Sequence, residues 1–124
     1  MDVNRIAVAI AHAEGYYDNG SIPQRANNPG DLELGDIGYG TIEGKTIFQN
    51  AILGWQQLYK QIGFMLSGTD PLWPPTMTLA EAGLKYSGGD PNWSKNVAAA
   101  LGVPETITLA ELDSVSENLS WPNS

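Results

Sequence analysis

A chain of 124 residues with 42% hydrophobic side chains can bury the core of one domain, and no stretch approaches the roughly 18 apolar residues of a membrane span. Six basic residues against fourteen acidic ones, a net charge of −8, argue against nucleic acid and anionic membrane surfaces as partners, which demand a basic footprint. The absence of cysteine excludes disulfides, thiolate zinc sites and cysteine nucleophiles, and the single histidine, His12, excludes a multi-histidine metal site.

The opening, MDVNRIAVAIAHAEG, is not a convincing secretory signal. Its apolar part is short and alanine-rich, Asp2 is an acid, and helical periodicity runs through it. A helix is expected over about residues 3–15, with Asp2 or Asn4 near its cap and Gly15 at its end. At about 100° per residue, Val3, Ile6, Ala7 and Ile10 share one face. Glu14 follows Ile10 by one helical step of four and falls in the same apolar sector, whereas His12 points the opposite way, to solvent. A carboxylate on a buried face is costly unless it is paired, hydrogen-bonded or protonated. Desolvation raises its pKa and keeps the proton on near neutrality, as a general acid requires. The alternative is a helix-end glutamate that reaches back to solvent or caps a backbone group.

Residues 18–31 are dense in Asn, Gly, Ser, Pro and Asp and read as loops and turns. Pro29-Gly30 is a turn signal, with Gly30 suited to a positive φ. Residues 31–49 read as a small antiparallel sheet, with Leu32-Glu33-Leu34 and Thr46-Ile47-Phe48 as strands among glycines 35, 38, 40 and 44. Asp31, Glu33, Asp36 and Glu43 are read mostly as solvent-facing. Residues 50–67 carry the clearest helix: Asn50 caps it, and Gly68 follows its end. Its core face is expected along Ile52, Trp55, Tyr59, Ile62 and Leu66, with Leu58 and Met65 on the flank. The proline-rich loop 69–77 carries Trp73, either as a docking surface or folded back onto the core.

Two later helices begin with the same tetrapeptide, Thr-Leu-Ala-Glu, at 78–81 and 108–111. Each fits a capping box rather than a sequence repeat. Between them Asp90-Pro91 starts a helix that runs to Leu101 and stops at Gly102, with Trp93, Val97 and Leu101 on one face. The outcome is five helices and a small sheet: one α+β domain, predominantly helical, over residues 1–119, with 120–124 read as a disordered tail.

A lone carboxylate closing an apolar helix, then a small sheet and a helical lobe rich in Trp and Tyr, suits glycan cleavage. That chemistry needs a protonated carboxylic acid at the leaving oxygen and often a second carboxylate. The chain resembles the lysozyme-like superfamily, in particular lytic transglycosylases and the muramidase domains of bacterial and phage cell-wall enzymes. The resemblance spans roughly residues 3–103. In that family a catalytic Glu closes the first helix, as Glu14 does in AHAEGYY, and a loop and small hairpin follow. Some members carry Arg-x-Asn-Asn-Pro-Gly-Asp/Asn-Leu/Ile there, matched by the run from Arg25 to Leu32. The Gly-Leu-Met-Gln motif of other members is absent. Their Tyr-Asn-Ala-Gly motif has a partial counterpart in Tyr86-Ser87-Gly88-Gly89, with Ser87 in place of Asn.

The resemblance implies a lysozyme-like fold and cleavage of the β-1,4 bond of peptidoglycan, with neither cofactor nor metal. Glu14 would be the general acid. Asp31 is the best candidate for a second carboxylate, with Glu33 and Asp36 behind it. Tyr86, Asn28, Arg25 and Tyr16 are candidate substrate contacts. The alternatives are a turn-forming role for Asn28, a surface ion pair for Arg25 and a core-edge position for Tyr86. Hydrolysis and transglycosylation both stay open, the second needing only one acid because the sugar's own 6-hydroxyl attacks. So do a chitin-like substrate and a non-catalytic binding domain that kept the fold. The expected partner is an N-acetylated glycan, met in the periplasm or outside the cell. No oligomerisation signal is present, and a monomer is expected.

Overall fold

The structure is a computed structural model and describes residues 2–119. The expected tail, 120–124, lies outside the described residues. Among these, helix dominates, and the strands form one two-stranded sheet. In chain order the elements are α1 (Val3–Ala13), α2 (Ile22–Arg25), β1 (Thr41–Ile42), β2 (Lys45–Thr46), α3 (Ala51–Leu66), α4 (Leu79–Ser87), α5 (Pro91–Leu101) and α6 (Leu109–Leu119). The chain is therefore α+β and predominantly helical, as expected. No described helix is long and apolar enough to cross a membrane.

The caps fall where the sequence places them. Asp2 accepts from the Asn4 amide, Asn50 from Leu53 and Asp90 from Asn92. Thr78 and Glu81 form a reciprocal capping box, and Thr108 and Glu111 make the same bonds. The two boxes lie side by side. Leu79 N donates to Ile107 O while Leu109 N donates to Met77 O, and Ala80 and Ala110 donate to Glu105 O and Pro75 O. Each helix start thus draws its spare donors' partners from the loop before the other.

The core joins Ile6 and Ile10 of α1 to Leu58 and Ile62 of α3, Leu79 of α4 and Trp93 and Val97 of α5. α1 packs on α5 and α3, and α4 packs on α5. Trp73 is folded back into this core at 6% exposure, which settles the choice left open for the 69–77 loop.

Three expectations need correction. The segment 18–31 is not all loop. Ser21 caps the short α2, with Pro23 in its first turn, and Gln24 Oε1 accepts from the Gly20 amide. Leu32-Glu33-Leu34 is not a strand. Asn28 Oδ1 and Thr46 Oγ1 take the Leu32 and Leu34 amides, so side chains replace most of a ladder, and the hairpin shrinks to Thr41–Ile42 against Lys45–Thr46. The buried stripe of α3 is partly rotated: Ile62 and Leu66 face inward as expected, but Gly54, Leu58 and Met65 complete the stripe, whereas Ile52 is 68% exposed. Gly54 is the pivot, because a Cβ there would lie 1.8 Å from the Asn27 carbonyl oxygen. Trp55 and Tyr59 take the edge of the core instead.

Candidate active site

Glu14 is the C-cap of α1. Gly15 turns the chain with φ +80°, so that Gly15 N donates to His12 O and Tyr16 N to Ala11 O. This Schellman closure ends the helix one turn after Ile10 and satisfies its last carbonyls. The Glu14 side chain is thereby held on the Ile6–Ile10 face, partly buried, while His12 is exposed and packs on the Tyr17 ring.

The partner of Glu14 comes from the other end of the chain. Trp93, 2% exposed on α5, donates its indole N–H to Glu14 Oε2 at 2.8 Å. Burial pushes the Glu14 carboxyl up from 4.5 to about 7, and the nearby charge of Asp31 pushes it the same way. The Trp93 hydrogen bond and the charge of Lys45 oppose the rise only in part. The carboxyl therefore neither snorkels to water nor caps a backbone group. It is a desolvated acid with one oriented oxygen.

Asp31 closes the turn that begins at Asn28, donating its amide to the Asn28 carbonyl, and lies in the left-handed region at φ +53°. Its Oδ2 lies 3.2 Å from Lys45 Nζ, which also holds Glu33 Oε1 at 3.1 Å. Its Oδ1 is buried without a hydrogen-bond partner among the described residues. Burial raises the Asp31 carboxyl as well, and Lys45 offsets part of that rise. Asp31 is thus not the solvent-facing turn acid that most of its neighbours are. Asp36 is one of these, and its carboxylate accepts from the Gly38 and Gly40 amides.

Tyr86, on α4, spans these groups. Its hydroxyl donates to Gly30 O at 2.7 Å and its ring lies 4.9 Å from that of Trp93. Burial pushes its phenol well up, and the charges of Glu14 and Asp31 add to this. The positive φ expected at Gly30 falls instead on Asn27 and Asp31. Gly30 is required for space: a Cβ there would stand 2.8 Å from both the Tyr86 hydroxyl and Leu58 Cδ1.

The remaining candidates part company with the site. Asn28 is fully buried; its amide donates to Leu32 O and Thr46 O and its Oδ1 accepts from Leu32 N. Every bond supports the turn, so Asn28 positions Asp31 and has no surface to offer a ligand. Arg25 is exposed, and its Nε donates to Gly20 O. It ties α2 back to the loop before it, and among the described residues it makes no hydrogen bond or ion pair with the Glu14 cluster. Tyr16 is half-buried edge-on against Trp55 and Tyr17, with centroids 5.5 and 5.2 Å away.

Sequence reasoning missed two residues of the cluster. Trp93 read only as a core residue, although a buried indole N–H always needs an acceptor and Glu14 was the carboxylate most in need of a donor. Lys45 carries no motif. Its pairing with Asp31 depends on the hairpin register, which a two-residue Glu43-Gly44 turn sets. Among the described residues no group of His, Asp and Glu could hold a metal ion. No family model, curated protein or solved structure matches the chain.

Proposed function

We propose that this chain is a lysozyme-like enzyme that cleaves the β-1,4 glycosidic bond of peptidoglycan, with Glu14 as general acid. The observation that carries this reading is a carboxyl whose pKa stands at about 7, fixed at a helix end beside a second carboxylate. Glycoside cleavage needs such a group to protonate the leaving oxygen. The Trp93 N–H can only donate, so it engages Oε2 as acceptor and leaves Oε1 to carry the proton.

Asp31 is the negative group of the pair. Lys45 holds its Oδ2 and Oδ1 is buried, so Asp31 acts on the site through its charge, which raises the Glu14 pKa, rather than by touching the attacking group. In hydrolysis, Glu14 gives its proton to the departing sugar oxygen, water adds at the anomeric carbon, and the water's spare proton returns to the Glu14 carboxylate. In transglycosylation, the 6-hydroxyl of the same sugar attacks instead and gives up its proton to the Glu14 carboxylate, and a 1,6-anhydro end forms. The net charge of −8 favours one variant of the reading, the same chemistry on a neutral N-acetylglucosamine polymer.

The test is digestion of purified sacculi by the parent and by Glu14→Gln, with mass analysis of the products. The swap keeps shape and removes the acid. Loss of about 10²–10⁴-fold in rate, with folding intact, is expected. Anhydro ends identify transglycosylation and reducing ends hydrolysis. A Glu14→Gln variant as active as its parent overturns the assignment.

A further inference from the structure

Beside the site, beyond Asp31 and Tyr86, runs an open groove of about 260 Å³. Pockets for whole drug-sized ligands occupy about 300–1,000 Å³, so this groove suits a side branch rather than a run of sugar rings. The loop and hairpin contribute Asp31, Glu33 and Lys45 to it; the helical lobe contributes Trp73, Lys85 and Tyr86.

The charges in the groove are not equivalent. Asp31 and Glu33 are both committed to Lys45. Lys85 has no carboxylate partner among the described residues, in a chain with fourteen acidic side chains. Its ammonium stands 4.8 Å over the Trp73 ring and donates to the Leu72 carbonyl oxygen. An ammonium has three N–H donors, and that carbonyl takes one. The buried Trp73 ring beneath it orients the head group, which lowers the ordering cost for a ligand.

We infer that this groove is a carboxylate-binding subsite for the anionic peptide branch of a wall glycan, with Lys85 as its specificity-determining residue. The inference rests on the proposed glycan cleavage for the identity of the ligand. It separates the two substrates that proposal admits, since a chitin-like polymer has no carboxylate to offer. The overall negative charge does not decide the matter, because screening limits exposed charges to about 10 Å, and Lys85 acts within that range.

The test is binding to the full chain, read by NMR at the Trp73 indole N–H and the Gln61 side-chain amide, both of which line the groove. One probe is N-acetylmuramyl-alanyl-glutamate; the other is the same compound amidated at its glutamyl carboxyls. The acid is expected to shift both signals and to bind about fivefold more tightly than the amide, the range of a half-exposed ion pair. Lys85→Met should lose that factor and Lys85→Arg should keep it. Equal affinity for acid and amide, unchanged binding in Lys85→Met, or no shift in the groove overturns the inference. Binding is read without turnover, so the two readings fail separately. Sacculi left uncut by a chain that binds the acid would reject the cleavage, whereas cut sacculi with no acid preference would reject the subsite alone.

Discussion

The indole of Trp93 and the carboxyl of Glu14 meet at 2.8 Å although 79 residues separate them in the chain. This bond lowers the Glu14 pKa, against the burial that raises it. Trp93→Phe keeps a ring in the core and removes the donor. The Glu14 pKa should then rise further, and the alkaline limb of the pH–rate profile should move up with it. Turnover below that limb should fall about tenfold as the carboxyl loses its fixed orientation. An unmoved pH profile would show that the bond is structural only.

Stability should carry the signature of the same group. Between pH 4.5 and about 7 the folded chain keeps a proton on Glu14 that the unfolded chain releases. The unfolded state therefore binds fewer protons, and stability falls as pH rises through this window. The gap corresponds to about 3 kcal/mol, fully expressed above pH 7. Glu14→Gln removes the titration. It should match the parent in denaturant melts near pH 4 and be more stable by about 3 kcal/mol at pH 8.5. Equal stability at both pH values would mean that the carboxyl is solvated.

Asn28→Ala should unfold the turn rather than weaken substrate contact. The substitution strands the Leu32 amide and the Thr46 carbonyl in a buried place, while Leu32 O keeps the Thr46 amide. At about 1–3 kcal/mol for each unsatisfied group, a loss of about 3 kcal/mol or more is expected in chemical denaturation. A near-neutral melt with weakened substrate binding would restore the ligand role.

Two glycines of α3 should answer oppositely to alanine. Gly54→Ala drives a Cβ into the Asn27 carbonyl oxygen, 1.8 Å away, and should cost several kcal/mol by forcing the helix off the 26–30 loop. At Gly63 a Cβ would meet nothing within 4 Å. Gly63→Ala should therefore stabilise by about 0.5–1 kcal/mol through helix propensity. Thermal melts of the pair check both signs at once.

The helices were legible because their signals are local. Thr78, Asn50, Asp90 and Gly102 announce their ends, and the Ile6–Ile10–Glu14 stripe needs only the helical period. What escaped is carried by space or by distant partners. Gly54 and Gly30 are required by close approach, and a glycine leaves no mark on a hydrophobic stripe, so the inward face of α3 was read partly rotated. The strand expected at Leu32–Leu34 failed because Asn28 and Thr46 supply side-chain partners that alternation does not encode. Of the site, Glu14 followed from the wheel, and Asp31 from its place in the Asn27–Leu32 run. Trp93 and Lys45 come from elements far along the chain, where only packing and hairpin register bring them in.

In the folded chain Glu14 holds its proton up to near neutral pH. The most direct measurement is the pH titration of the Glu14 side-chain carboxyl carbon by NMR, assigned by comparison with Glu14→Gln. A midpoint near 7 is expected, well above the 4.5 of an unperturbed glutamate. A midpoint near 4.5 would make Glu14 an ordinary ionised helix-end residue and would contradict its role as general acid.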